Sequence, residues 1–187
     1  GRMFSAMGRN GVNVRAIAQG SSEKNISAVI ATRDVRKSIN VLHEEFFETS
    51  YKQVNLYITG TGNVGARLLA QIQQQLAFMQ QQQHLQVNIV GISNSRKMLL
   101  KEEGINMADW KTQLEQGESA NLEKFVSEII SRNLRNSIFV DVTASDVVAA
   151  VYAQLLEKSV NVVACNKVAA SSAYSNYKKL KDLARAY

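Results

Sequence analysis

The chain of 187 residues reads as an α/β protein, a doubly wound and mainly parallel sheet preceded by a smaller, partial α+β domain. Three observations predict it. Val54-Asn55-Leu56-Tyr57-Ile58-Thr59 alternates apolar and polar residues and is rich in β-formers, so it reads as a strand. Gly60-Thr61-Gly62-Asn63-Val64-Gly65 follows it as a G-x-G-x-x-G turn. Beyond that turn Val64, Leu68, Ile72, Leu76 and Met79 recur at the spacing of one helix face. In that order the glycines have separate duties. The first permits the tight turn, the second lets the backbone approach a pyrophosphate, and the third lets helix and strand pack closely. The helix N-terminus then offers free N–H groups to phosphate oxygens. A glycine-rich turn that binds nothing is the alternative.

Composition narrows the classes. Apolar residues make up 45% and charged residues 20% of the chain, as in ordinary soluble globular proteins. No apolar run approaches the length of a membrane span, and Gly1 to Ser5 holds no signal-peptide core, so no membrane partner is expected. Cys165 stands alone, which excludes an internal disulfide and points to a reducing, cytoplasmic compartment. The net charge of +6 permits a nucleic-acid partner, but the Lys and Arg residues are scattered rather than striped, so none is expected. His43 and His84 lack companions at metal-ligand spacing, and no metal site is assigned. The missing initiator Met and an end inside an apparent helix read as a piece of a longer chain.

Residues 1–50 stand apart. Met3, Phe4 and Met7 form a helical face that Gly8 and Gly11 bring to a stop. Val12 to Ala16 alternates as a strand, Gln19-Gly20-Ser21-Ser22 reads as a turn or strand end, and Ile26 to Ala31 as a second strand. Val35, Ile39, Leu42 and Phe46 then line an amphipathic helix capped by Thr32 or Asp34. With one strand ahead of Gly1 and one after Phe47, the unit completes a ferredoxin-like βαββαβ sheet. Half of such a domain exposes a sheet edge and an apolar face.

From Tyr51 the nucleotide half begins. Its first helix carries Gln-rich runs, read as a solvated face, and His84 leads into a second strand, Val87 to Ile92. That strand ends in Ser93-Asn94-Ser95-Arg96-Lys97, with no carboxylate until Glu102. A carboxylate there accepts hydrogen bonds from the ribose of NAD, whereas Arg96 can clamp a 2′-phosphate and Lys97 add charge. NADP(H) is therefore favoured, with NAD(H) the alternative. Asp109-Trp110 with Leu114, and Leu122 with Phe125, Val126, Ile129 and Ile130, predict two helices covering one sheet face.

Ile138 to Val142 is a buried strand ending in Thr143-Ala144-Ser145, followed by a helix with Val148, Val151, Tyr152 and Leu155 inward. Val160 to Cys165 is another strand, closed by Asn166-Lys167, and a last helix carries Tyr174, Tyr177, Leu180 and Leu183. Ligands of open α/β sheets lie beyond the carboxyl ends of the strands, so the Gly60–Gly65 turn, Thr143–Ser145 and Asn166-Lys167 should converge. The cofactor-binding set is Gly60, Gly62, Asn63, Val64, Gly65, Asn94, Ser95, Arg96, Lys97, Thr143, Ala144, Ser145, Asn166 and Lys167. Thr143 and Ser145 can bond the nicotinamide ribose or carboxamide, and Ser145 can equally cap the next helix. Asp141 is expected to bond backbone or neighbouring loops, and Cys165 to be buried and inert. Lys167 is the candidate catalytic residue, placed to bind a substrate carboxylate or oxygen or to move a proton.

Gly8-Arg9-Asn10-Gly11-Val12-Asn13-Val14-Arg15-Ala16-Ile17-Ala18-Gln19-Gly20-Ser21-Ser22-Glu23 resembles the second ACT repeat of bifunctional aspartokinase–homoserine dehydrogenases. The later motifs resemble the start of their dehydrogenase half, in family order over essentially the whole chain. The resemblance implies a partial ACT regulatory domain over residues 1–50 and an incomplete NAD(P)-binding Rossmann domain over 51–187. It implies NADPH-dependent, reversible reduction of aspartate 4-semialdehyde to homoserine, in threonine and methionine biosynthesis. The lysine of the family's Asn-Lys motif, here Lys167, lies in the active site. Asn10, Asn13 and Gln19 match effector-binding positions, threonine being the common effector. It also implies a homo-oligomer, a kinase half upstream, and a substrate domain downstream without which this piece is inactive. A non-catalytic sensor of amino acid and dinucleotide is the alternative, and nucleic-acid binding a third.

Overall fold

The computed structural model describes residues 1–20, 25–47 and 52–187. The chain divides into two compact units between Ser50 and Tyr51. The expected turn at Ser21-Ser22 and the expected start at Tyr51 lie outside the described residues.

The first unit runs α1 (Arg2–Arg9), β1 (Val14–Gln19), β2 (Ile26–Ile30), a short 3-10 turn (Thr32–Asp34) and α2 (Val35–Phe46). Gly8 lies inside α1 rather than ending it. Gly11 ends it, at φ 67°, a left-handed conformation that glycine adopts without a Cβ penalty. Its N–H reaches the Gly8 carbonyl at 3.0 Å and the Val12 N–H the Met7 carbonyl at 3.0 Å, a Schellman closure with Val12 and Met7 buried together. β1 and β2 pair antiparallel, with a register shift between Val14 and Ala16.

The inner face of α2 differs from the expected one. Lys37, Ser38 and Val41 are buried, while Ile39 is 61% exposed and Val35 and Phe46 are also open. Periodicity finds an apolar stripe, but the docked neighbour chooses which stripe is covered. α1 packs on the adjacent one, and Glu45 bonds both Arg2 and Arg9, at 3.2 and 3.1 Å. Burial lowers the Lys37 ammonium to about 8, with Asp34 opposing the shift. The strands too show apolar surface, Ile17 and Val29 each being 56% exposed.

The second unit is a six-stranded sheet in the order β6-β5-β4-β3-β7-β8. Its strands are β3 (Lys52–Thr59), β4 (Leu85–Ser93), β5 (Lys97–Leu100), β6 (Glu118–Ser119), β7 (Ser137–Asp141) and β8 (Asn161–Ala164). β4, β3, β7 and β8 are parallel, whereas β5 and β6 add an antiparallel edge that the sequence did not announce. Between them lie α3 (Asn63–Gln83), α4 (Trp110–Glu115), α5 (Leu122–Arg132), α6 (Asp146–Ala149) and α7 (Tyr152–Leu156), with α8 (Tyr174–Ala186) last. The one helix expected after β7 is thus two short ones. Among the described residues no helix is long and apolar enough to cross a membrane.

Alternation along the strands sends successive side chains to opposite faces. Tyr57, Val90 and Phe139 join Phe125, Val126 and Ile129 of α5, and Tyr152 and Leu155 of α7, in one apolar cluster. Ile58, Ile89 and Val140 join Leu69 of α3 and Leu114 of α4 in the other. α4 and α5 therefore cover opposite faces, where the sequence reading put both on one. A bulge in β4 leaves Val90 without a partner in β3, between Ile89 and Gly91. A Cβ on Gly91 would stand 2.7 Å from the Tyr57 ring and 3.0 Å from that of Phe125, so the two rings occupy the space a side chain needs.

The tightest contact joins α3 to the end of β3, where a Cβ on Gly65 would overlap the Gly60 carbonyl oxygen. Gly65→Ala is expected to destabilise the second unit by about 1–3 kcal/mol, the usual cost of overpacking. Urea unfolding of the variant beside the parent chain measures it; an unchanged midpoint would refute the close approach.

Candidate functional site

The chain leaves β3 for β4 on one side, while β7 lies on the other. Connections therefore diverge beyond the carboxyl ends of β3 and β7, the topological switch point at which open α/β sheets bind ligands. A cleft of about 530 Å³ opens there, walled by Gly60-Thr61-Gly62, Ser93-Asn94-Ser95, Thr143 and Ser145, with Asn121 at the start of α5.

Each glycine of the turn answers a different constraint. Gly60 holds φ 100°, and a Cβ on it would meet Thr143 Cγ2 at 2.9 Å and the Val142 carbonyl at 3.0 Å. Gly65 lets the helix close on the strand. Gly62 has open space on its Cα, with nothing within 4 Å of an added Cβ. It is also the N-cap of α3 and lends no side-chain cap, so the first-turn N–H groups of Asn63, Val64 and Gly65 lack intrahelical partners. Val64 is exposed instead of packed inward, and Leu69 takes the buried place.

The segment after β4 is folded by its own side chains. Asn94 Oδ1 accepts from the N–H groups of Arg96 and Lys97, both at 2.8 Å, and its Nδ2 donates to Thr61 Oγ1 at 3.2 Å. Gly60 N–H reaches the Ser93 carbonyl at 2.8 Å, and the hydroxyls of Thr59 and Ser93 meet at 3.1 Å. The glycine turn and this segment are thus one wall. The two basic residues part company: Lys97 enters β5 and its Nζ donates to the Gly117 carbonyl at 2.9 Å. Arg96 is exposed, and among the described residues its guanidinium makes no ion pair.

Beyond β7, Thr143 Oγ1 accepts from the Ser145 N–H at 3.1 Å, and Ser145 Oγ caps α6 through the Val148 N–H at 3.4 Å. Ala144 between them is exposed. Asp141, with no exposed surface, accepts from the Thr143 N–H at 2.7 Å, the Tyr152 hydroxyl at 2.5 Å and Asn166 Nδ2 at 3.0 Å. Burial and the Asp141 carboxylate push the Tyr152 phenol far above its usual range, so its proton stays in that bond.

Asn166 is 5% exposed: Nδ2 also donates to the Ser145 carbonyl at 2.7 Å, and Oδ1 accepts from the Val168 N–H at 3.0 Å. Its side chain ties the end of β8 to the Thr143–Ser145 loop, with one lone pair of Oδ1 uncommitted. Lys167 follows it, exposed, its carbonyl held by the Ser171 N–H at 2.8 Å and hydroxyl at 2.9 Å. Cys165 is exposed, not buried as expected, and lies just past the end of β8, which among the described residues is an edge of the sheet. In the first unit Asn13 and Gln19 are exposed, while Asn10 Nδ2 donates to the Ala6 carbonyl at 3.0 Å at the end of α1.

Three participants escaped the sequence reading. Thr61 supplies the hydroxyl that latches Asn94, and Tyr152, read as a packing residue, serves Asp141. Asn121 caps α5 by accepting from the Lys124 N–H at 2.9 Å. Only Asn121 had a local signal, an Asn directly before an apolar periodic run.

Residues 60–187 match the family model for the homoserine dehydrogenase NAD-binding domain, and residues 1–46 that of the ACT domain. The chain is 38% identical over 185 residues to chloroplastic bifunctional aspartokinase/homoserine dehydrogenase 2 of Arabidopsis thaliana, covering 98% of this chain and 20% of that protein. It is 33% identical over 186 residues to the bifunctional aspartokinase/homoserine dehydrogenase of Haemophilus influenzae, covering 99% and 23%. The chain thus spans about a fifth of the length of these relatives. Among solved structures, a hyperthermophilic archaeal homoserine dehydrogenase in complex with NADPH superposes with TM-score 0.55 at 23% identity, covering 72% of this chain and 41% of that one. The homoserine dehydrogenase of Thermoplasma acidophilum does so with TM-score 0.55 at 22% identity, covering 72% and 40%. At that identity the likeness shows the fold. Glycine turn, switch-point cleft and sequence match agree: the chain belongs to the homoserine dehydrogenase NAD-binding domain family, and the residues ahead of that domain match the ACT domain model.

Proposed function

We propose that the second unit binds NADP(H) across the β3/β7 switch point and serves homoserine dehydrogenase chemistry, interconverting aspartate 4-semialdehyde and homoserine. One observation carries the reading: the uncapped start of α3 behind Gly62, whose open Cα lets a phosphate come against the backbone. When bound, the dinucleotide supplies the hydride donor or acceptor. The N–H groups of Asn63, Val64 and Gly65 hold the pyrophosphate. Arg96, exposed beyond β4, takes the 2′-phosphate as a bidentate pair, with Ser95 beside it. Lys97, bound to the Gly117 carbonyl, adds charge without contact. Thr143, Ala144 and Ser145 line the nicotinamide side. Asn166 holds the corner from which Lys167 reaches the substrate, binding its carboxylate or steadying the charge on its oxygen. The first unit takes an amino-acid effector, threonine by the family's habit, at Asn10, Asn13 and Gln19. The names of the relatives add an aspartokinase to the same protein, and homo-oligomers and a reducing compartment belong to this reading.

Titration of nicotinamide fluorescence should show NADPH bound more tightly than NADH. Arg96→Asp should cost about ten- to a hundredfold in NADPH affinity and little in NADH affinity, as loss of charge-assisted hydrogen bonds would. Equal losses for both nucleotides would remove Arg96 from the phosphate subsite. Gly62→Ala should leave the unfolding midpoint unchanged yet weaken both nucleotides, because the added methyl points into empty space. Unimpaired binding in that variant would move the pyrophosphate elsewhere. Lys167→Ala, assayed as homoserine oxidation in a protein carrying this chain, should lower turnover about a hundredfold while NADPH binding persists. Full turnover would exclude the lysine from the reaction.

A further inference from the structure

Asp141 is buried completely beside the cleft, yet every group that bonds it is neutral: the Thr143 N–H, the Tyr152 hydroxyl and the Asn166 amide. All three are donors, so the carboxyl group acts purely as acceptor, which is the role of its ionised form. Among the described residues no cation pairs with it. Burying a charge this way is costly, and a neutral acceptor would hold the Thr143 N–H as well. The charge therefore does something beyond folding the loop.

Its position says what. One oxygen lies 2.7 Å from the backbone of Thr143, a residue of the cleft wall, and the other is linked through Asn166 to the carbonyl of Ser145, also in that wall. A negative charge one residue behind the wall acts on whatever lies against it through protein rather than water, where screening is weak. We propose that Asp141 is the counter-charge for the oxidised nicotinamide ring and sets the site's preference for oxidised over reduced cofactor. The oxidised ring is positively charged and the reduced ring neutral, so the carboxylate attracts only the first. The inference rests on the reading that the nicotinamide lies along Thr143–Ser145. Tyr152 moderates the effect, because its donated proton offsets part of the charge.

Calorimetric titration with NADP⁺ and with NADPH tests it on the parent chain, Asp141→Asn and Tyr152→Phe, each checked for folding by circular dichroism. Asp141→Asn should weaken NADP⁺ about tenfold relative to NADPH, the size expected of unit charges in a partly screened wall. Tyr152→Phe, which keeps the carboxylate but removes a donor, should shift the ratio further towards NADP⁺. A residue that only holds the loop would change both affinities together. An unchanged ratio in Asp141→Asn overturns the proposal. If that variant does not fold, Tyr152→Phe decides: a ratio unchanged or shifted towards NADPH overturns it. Failure of the folded parent chain to bind either nucleotide overturns the dinucleotide reading as well, and is thereby distinguishable.

Discussion

The close approach of α3 to the end of β3 is the constraint on which the second unit depends. Gly65 rests against the carbonyl of Gly60, at a separation that leaves no room for a methyl group. That contact sets where the helix starts, and so where its unpaired N–H groups stand relative to the sheet. Gly60 turns the chain at positive φ against Val142 and Thr143, which brings the end of β7 to the same place. A helix starting a turn later would leave the cleft without its polar end, and one packed further out would open the core around Leu69.

The cleft is held by side chains whose first employment is in folding its walls. Asn94 closes its own segment and latches Thr61; Asn166 joins β8 to the loop after β7; Ser145 caps α6. Residues that looked like ligand contacts in the sequence are therefore partly contacts of the protein with itself. A dinucleotide site benefits from this, because walls whose polar groups are already bonded need no reordering when a ligand arrives. The N–H groups at the start of α3 remain without intrahelical partners and Ser95 in the cleft wall is exposed, whereas Arg96 and Lys167 are exposed outside the residues that line the cleft. The buried Asp141 carboxylate underlies the third wall and gives it a charge that its surface residues lack.

The first unit shows a different balance. Its helices pack together, with Ala6 and Met7 of α1 and Ser38 and Val41 of α2 buried, and Glu45 spans two arginines of α1. The more apolar stripe of α2 and the outward residues of β1 and β2 remain open, as expected of a sheet with two strands. Small α+β domains of this kind gain stability only when their sheets are completed or covered.

By itself the sequence determined what depends on neighbours along the chain. Strand, glycine turn and helix around Gly60 to Gly65 are local, and the alternation, the positive-φ turn and the helical spacing each have their own signature. The basic run after β4 and the Asn-Lys corner after β8 were legible for the same reason. Tertiary structure alone decided which stripe of α2 is buried, that α4 and α5 lie on opposite faces, that Lys97 turns to Gly117, and that Cys165 lies open just past the end of β8. It also made Asp141, Tyr152 and Asn166 a single network, across 25 residues between the first and last of them. Periodicity states that a face is apolar, whereas burial depends on what the fold brings against it, and that partner lies far away in sequence.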